Sequence, residues 1–137
     1  MTDYSDPRQL VLVGCGAITE LYYVPALLEA LKHTQIEVVA FFDPSTERLS
    51  ALHKFFPKAK PLTAFKDLID LQPHLAVVAS PPKFHASQVI ALLGAGVHVL
   101  CEKPMASSVA EAESMIAAAH KANRVLAIGL FRRFFPA

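Results

Sequence analysis

The chain has 137 residues, 53% of them hydrophobic and 18% charged, with 13 Lys and Arg against 12 Asp and Glu. This length suits one domain with a buried core, and the apolar content excludes a disordered chain. A formal net charge of +1 gives no basic surplus for nucleic acid and no acidic tail, so we expect no nucleic-acid partner.

Short apolar runs rich in Val, Ile, Leu and Phe recur along the chain, with little polar alternation inside them. Such runs predict strands that are buried on both faces, as in a parallel sheet covered by helices. In chain order they are Leu10–Val13, Val38–Phe42, a weaker run at Lys60–Leu62, Leu75–Ala79, Val97–Cys101 and Val125–Ile128.

Helical patterns fill the intervals between the predicted strands. The first has an apolar stripe of Ile18, Leu21, Tyr22, Leu27, Leu28 and Leu31. Pro25 interrupts this stripe and should kink or restart the helix, because it lacks an N–H and clashes with the preceding turn. The later helices are predicted at Thr46–Phe56 with Asp43-Pro44 as cap and first-turn proline, Phe65–Leu71, Phe84–Ala95 before Gly96, and Ser108–Asn123 with a Ser108/Glu111 capping box.

Strands that alternate with helices predict parallel pairing through right-handed crossovers. We therefore expect an α/β fold, a doubly wound parallel sheet of the Rossmann type with about six strands and helices on both faces. This domain would cover residues 1–129. Residues 130–137 follow the last strand with three phenylalanines, and we interpret them as the start of a connection that is cut short.

A glycine-rich turn directly follows the first predicted strand and opens a helix. Gly14 would permit the tight turn, and Gly16 would let the backbone approach a pyrophosphate lying on the N–H groups of the helix N-terminus. Thr19 takes the third fingerprint position, usually Gly or Ala, and its hydroxyl could also reach the phosphates. The alternative is a tight turn without a ligand. The predicted phosphate site comprises Gly14, Gly16, Ala17, Ile18 and Thr19.

Asp43 ends the second strand, where this fold places an acidic residue that accepts hydrogen bonds from the adenosine ribose. A carboxylate would repel a 2′-phosphate, so Asp43 favours NAD over NADP, although Arg48 could weaken that preference. The alternative role of Asp43 is a helix N-cap before Pro44, and the two roles can coexist.

Two further strand ends carry candidate residues. Ser80-Pro81-Pro82 would form the far wall of a crevice between the first and fourth strands, and His85, which opens the next helix, is either a ligand contact or a polar first-turn residue. Lys103, after the fifth strand, is the candidate catalytic residue, because a partly desolvated lysine can exchange protons with a substrate hydroxyl. The alternative for Lys103 is a solvated surface side chain.

Neither a membrane span nor a metal site is expected. Residues 84–101 contain no charged side chain, but polar residues and Gly94-Ala95-Gly96 break this stretch. The acidic, polar N-terminus is unlike a signal peptide. Cys15 and Cys101 lack metal-ligand spacing and make a poor disulfide framework, which favours reduced thiols in a cytoplasmic protein.

These motifs resemble the glucose–fructose oxidoreductase / inositol dehydrogenase / rhizopine catabolism family. The resemblance covers nearly the whole chain from about Gln9. It is carried by Gly14–Ile18, Tyr22–Leu27, Ala79–Pro82 with His85, Leu126–Gly129, and most specifically Gly96–Pro104.

The resemblance implies an NAD(P)-binding Rossmann domain that precedes a second α/β domain. Such enzymes move hydride between nicotinamide and a secondary alcohol or ketone of a sugar, polyol or similar small molecule. Lys103 would help move the hydroxyl proton, and Glu102 would help place the nicotinamide end. A second-domain histidine usually completes the relay, so we expect this chain alone to bind NAD weakly without turnover. The alternative is a non-catalytic sensor or regulator of the same fold.

The chain departs from the family pattern at three places. Many relatives have His where this chain has Tyr23, Asn three residues before His85 where Pro82 stands, and polar residues at Leu130-Phe131. Apolar side chains at the end of the chain would favour self-association if exposed, so we include a homo-oligomer among the expected partners. They are Phe131, Phe134 and Phe135.

Overall fold

The fold is a single six-stranded parallel sheet with helices on both faces. The computed structural model describes residues 6–136. The strands are β1 Arg8–Val13, β2 Ile36–Phe42, β3 Lys60–Leu62, β4 Leu75–Val78, β5 His98–Cys101 and β6 Leu126–Ile128. They lie in the order β3-β2-β1-β4-β5-β6, which is the doubly wound order of dinucleotide-binding folds. The predicted fold class is confirmed, with strand ends displaced by a few residues at most.

Two hydrophobic cores lie on opposite faces of the sheet. In β1, Val11 and Val13 belong to one core while Leu10 and Leu12 belong to the other, as the period of two in a strand requires. The first core packs against α3 Phe65–Asp70, α4 His85–Gly94 and α5 Val109–Ala122; the second packs against α1 Val24–Ala30 and α2 Thr46–His53. Burial on both faces explains why the strands read as unbroken apolar runs.

The first helical segment begins with a π-helical turn, Thr19–Tyr23, and continues as α1. The Val24 N–H donates to the Thr19 carbonyl five residues earlier, and Pro25 lies in the first turn of α1. The irregularity predicted at Pro25, a kink or a restart, takes the form of this π-helical turn, and the backbone stays helical through Tyr23 and Val24. The prediction of a single buried apolar stripe at α-helical spacing is wrong, because the π-helical turn changes the direction in which the following side chains point. The exposed members are Ile18, Leu21, Tyr22 and Leu28.

The later helices begin and end largely as their capping residues predict. Ser108 Oγ accepts the Glu111 N–H at 3.2 Å, while the Glu111 carboxylate accepts the N–H of Ser107 rather than that of Ser108. Gly96 follows α4 with φ +85°. A 3₁₀ turn, Pro82–Phe84, precedes α4, so the predicted helix start at Phe84 is one residue early. Helix α2 ends at His53 rather than Phe56.

The last described residues form an exposed aromatic patch. A 3₁₀ turn, Phe131–Phe134, follows β6. Phe131 stacks on Tyr22 with ring centroids 6.5 Å apart and meets Phe135 edge-on at 5.7 Å, and Phe134 is 88% exposed. No helix within residues 6–136 has the length and apolar character needed to cross a membrane.

Candidate functional site

The carboxyl ends of the strands lie in register along one edge of the sheet. One row of paired residues crosses it: Leu62, Phe42, Val13, Val78, Cys101 and Ile128. The next residue of five strands donates its backbone N–H to a neighbouring strand at 2.8–3.2 Å; these residues are Gly14, Asp43, Ala79, Glu102 and Gly129. The segments singled out in the sequence therefore meet at one edge.

The two glycines of the first turn face different surroundings. Gly14 has φ +92°, and a Cβ there would lie 2.6 Å from the Ser80 backbone nitrogen, so this turn packs tightly against the end of β4. A Cβ on Gly16 would meet nothing nearer than Arg48 Nη1, at 4.0 Å. Residues 17 and 18 begin the helix and are exposed. Open space thus lies beside a helix start whose first N–H groups have no partner within the helix.

Thr19 lies inside this turn. Its side chain is 1% exposed, and Oγ1 donates to the Gly14 carbonyl at 2.6 Å. A hydroxyl has one proton to donate, and phosphate oxygens are acceptors. Since that proton is already used, Thr19 supports the turn from within, which corrects the expectation that its hydroxyl faces the phosphates.

Asp43 is 3% exposed and joins the ends of two strands. Oδ2 accepts the Cys15 N–H at 2.9 Å, and Oδ1 accepts the Ser45 N–H at 2.8 Å. Ser45 has extended backbone and its Oγ accepts the Arg48 N–H, so Ser45 is the N-cap of α2. The N-cap role considered for Asp43 is therefore wrong. Arg48 Nη1 lies 3.7 Å from Oδ2, which places a cation beside the buried carboxylate.

His85 joins the turns after β4 and β5 from below the edge. Its ring is 1% exposed, with Nε2 2.7 Å from the Ser80 carbonyl and Nδ1 2.9 Å from the Pro104 carbonyl. Pro81 and Pro82, in the turn after β4, are exposed. Because both ring nitrogens face protein carbonyls, we assign His85 to holding the two turns together and not to a direct ligand contact.

Glu102 lies at the centre of a small polar cluster that the sequence did not reveal. Oε1 accepts the Tyr23 hydroxyl proton at 2.6 Å, and Oε2 accepts the Lys103 N–H at 3.2 Å. A Cβ on Gly129 would lie 2.8 Å from Oε1. The Lys103 side chain is exposed. In the sequence, Tyr23 stood out only because many relatives have histidine at this position. Nothing in the sequence indicated that Gly129 lies against Glu102.

Both cysteines are free and buried. Burial, together with the negative charge of Asp43, raises the pKa of Cys15 to about 12 despite the nearby Arg48. Burial and the charge of Glu102 raise the pKa of Cys101 to about 12. Because the thiolate is the reactive form, neither residue is suited to be a nucleophile at neutral pH.

Strand order reverses between β1 and β4, and the turns that follow these two strands meet at the Gly14–Ser80 contact. Parallel sheets of this winding bind ligands at that reversal, on the carboxyl edge, so fold and edge together define a dinucleotide-binding domain of the Rossmann class. A sequence model of the Gfo/Idh/MocA oxidoreductase family, described as an NAD-binding Rossmann fold, matches residues 8–130. The chain belongs to this family, and it is an NAD-binding domain.

Several relatives are dehydrogenases. The chain is 28% identical over 134 residues to D-glucoside 3-dehydrogenase from Escherichia coli, a match covering 95% of this chain and 36% of that protein. It is 31% identical over 131 residues to an NADP(+)-dependent scyllo-inositol 2-dehydrogenase from Bacillus subtilis, covering 93% and 38%.

A solved structure agrees closely in fold. The WlbA dehydrogenase from Bordetella pertussis, crystallised with NADH and UDP-GlcNAcA, is 27% identical with a TM-score of 0.86, and the match covers 95% of this chain and 37% of that one. The chain thus spans a little over a third of the length of these relatives.

Proposed function

We propose that this chain binds NAD along the carboxyl edge of its sheet as the nucleotide-binding part of an oxidoreductase acting on a secondary alcohol or ketone of a sugar or polyol. The observation that carries the proposal is the row of aligned strand ends, which brings the Gly14 turn, Asp43, Ser80 and Glu102 to one edge. The substrate class rests on the relatives, whose names specify a glucoside, an inositol and a nucleotide sugar.

The residues at this edge fit a dinucleotide. The open space at Gly16 would admit a pyrophosphate beside the start of the helix, where backbone N–H groups favour an anion. The Asp43 oxygens each accept one backbone N–H and retain a second lone pair for a ribose hydroxyl. A 2′-phosphate would meet this carboxylate, so we infer a preference for NAD over NADP, which Arg48 reduces without reversing.

Lys103 is the group that we propose to handle the substrate proton. It directly follows Glu102 at the end of β5, and its exposed side chain leaves the same edge as the Gly14 turn. Nicotinamide, when bound, supplies the hydride chemistry. This chain holds the nucleotide. During oxidation of the substrate, Lys103 Nζ accepts the hydroxyl proton, and during reduction it returns that proton.

We further infer that the 137-residue chain by itself binds NAD without oxidising a polyol. Among residues 6–136, Lys103 is the one group that we assign to proton transfer at the edge, and its exposure leaves the reacting position open to water. An assay of the chain with NAD and inositol should show no substrate-dependent formation of NADH. Steady formation of NADH would contradict this inference.

Calorimetric titration with NAD and with NADP tests the proposed function. The unsubstituted chain should bind NAD several-fold more tightly than NADP, and Asp43→Ala should remove most of that difference by weakening NAD binding. The matched control is Asp67→Ala, which deletes an exposed carboxylate on α3 and should leave both affinities unchanged. Failure of the unsubstituted chain to bind NAD would overturn the proposal.

A further inference from the structure

The Glu102 carboxylate is held from three directions. Tyr23 donates to Oε1 at 2.6 Å, the Lys103 N–H donates to Oε2 at 3.2 Å, and Gly129 packs so closely that an added Cβ would lie 2.8 Å from Oε1 and 3.4 Å from the Tyr23 hydroxyl oxygen. These contacts connect the first helical segment, the end of β5 and the end of β6. They leave the carboxylate little freedom to turn.

Tyr23 is suited to be a permanent donor in this cluster. Burial raises its pKa above the usual value, and the hydrogen bond to Glu102 and the charges of Glu102 and Cys101 raise it further. The phenol therefore keeps its proton at neutral pH and remains a hydrogen-bond donor. Hydrogen bonds from a neutral donor to a carboxylate are among the stronger ones in proteins.

The neighbouring tyrosine does not share these contacts. Tyr22 is 62% exposed and stacks on Phe131, whereas Tyr23 is half-buried. Consecutive residues of a helix point in different directions, so only one of the two rings can face Glu102. The π-helical turn that ends at Tyr23 changes these directions and thereby selects Tyr23.

We propose that Tyr23 is a positioning residue for the nicotinamide half of the site: its hydroxyl orients the Glu102 carboxylate and, through Glu102, the main chain that presents Lys103. This inference rests on the proposed function, in which Glu102 and Lys103 lie at the nicotinamide end and the Gly14 turn with Asp43 holds the other end. Tyr23 touches neither end itself and acts only through Glu102.

Paired titrations with NAD and ADP-ribose test the inference, because ADP-ribose lacks the nicotinamide. Tyr23→Phe should weaken NAD binding several-fold, because the Glu102 carboxylate loses the donor that fixes its orientation, and should leave ADP-ribose binding unchanged. Gly129→Ala, which displaces the carboxylate by a different route, should show the same selectivity. Tyr22→Phe keeps the exposed ring and should change neither affinity.

A double-mutant cycle provides a second measurement. If Tyr23 acts through Glu102, Tyr23→Phe should have no further effect on NAD affinity once Glu102→Ala has removed both acceptor oxygens. Equal weakening of NAD and ADP-ribose by Tyr23→Phe, or no effect on either, would overturn the inference while leaving the proposed function intact. If the unsubstituted chain bound neither ligand, the proposed function would fail and this inference with it.

Discussion

Two glycines separated by one residue have different physical roles in the first turn. At Gly14 the backbone has a positive φ and a Cβ would collide with the backbone of Ser80, so the residue is required for folding. At Gly16 there is room for a methyl group within the protein, so the absence of a side chain matters only for what approaches from outside. The sequence predicts a tight turn at Gly14 and a close approach at Gly16, and the structure adds the neighbours that each glycine faces.

Alanine substitutions should separate these roles. Gly14→Ala should lower the free energy of unfolding by about 2–6 kcal/mol, the sum of backbone strain and overpacking. Gly16→Ala should change stability by less than about 1 kcal/mol but weaken NAD binding about tenfold, because the methyl group occupies the space proposed for the pyrophosphate. Denaturant unfolding and calorimetry measure the two effects. Tight NAD binding by Gly16→Ala would contradict the proposed approach to the turn.

At the scale of the element, the amino ends of the strands are joined by histidine side chains. His74 Nδ1 accepts the Gln9 N–H, and His98 Nδ1 accepts the Val125 N–H, each at 3.0 Å. These bonds satisfy backbone donors that lie just beyond the regular ladder.

The bond at His98 predicts a loss of stability in acid. Burial and the cations of Arg124 and Arg8 lower the pKa of His98 below 6.5. As the pH falls below 6.5, the unfolded chain binds a proton that the folded chain does not, so the free energy of unfolding decreases. Partial exposure keeps this contribution well below the limit of about 1.4 kcal/mol per pH unit for one proton.

Asparagine at position 98 should still accept the Val125 N–H through its side-chain oxygen, but it does not bind a proton between pH 5 and pH 8. His98→Asn should therefore show a smaller loss of stability between pH 7 and pH 5 than the unsubstituted chain, measured by urea unfolding at a series of pH values. At pH 8, where imidazole is neutral in both states, the two proteins should differ little. An identical acid loss in both would show that His98 does not contribute.

In the first helical segment, the spacing of apolar residues predicts the wrong set of buried side chains. Its apolar residues were assigned to one stripe at 3.6 residues per turn, but the π-helical turn ahead of Pro25 shifts the phase. As a result Leu21 and Tyr22 face solvent, whereas Tyr23 turns toward the site. Pro25 gave a reason to expect an irregular helix. The sequence did not predict which side chains the irregularity would turn toward solvent.

At the scale of the whole molecule, the aromatic patch of Tyr22, Phe131, Phe134 and Phe135 is an exposed apolar feature. Exposed patches of this kind favour association. We expect the 137-residue chain to self-associate at high concentration, with light scattering showing a mass that rises with concentration.

A single substitution should shift that equilibrium. Phe134→Ser removes the most exposed ring without disturbing the stacked pair and should raise the concentration needed for association several-fold. Phe55→Ser removes a ring that is 41% exposed in the turn after α2 and should have no effect. A monomer at all concentrations would contradict the prediction.

Much of this protein follows from its sequence by local rules. Unbroken apolar runs alternating with helices predict a doubly covered parallel sheet, and in such a sheet every strand ends at the same edge. That geometry is enough to bring Gly14, Asp43, Ser80 and Glu102 together before any contact is known. The family motifs follow the same logic, because they lie at these strand ends.

Tertiary structure decided what each side chain at the edge faces. The bridging ring of His85 and the Tyr23–Glu102 bond join residues that are 19 and 79 positions apart in the chain. The inward hydroxyl of Thr19 and the N-cap at Ser45 are local bonds, but the motifs did not specify which atom each side chain faces. Sequence spacing reports the position of a residue along its own element. The partner of its side chain is set by ångström-scale packing between elements, which no local pattern encodes.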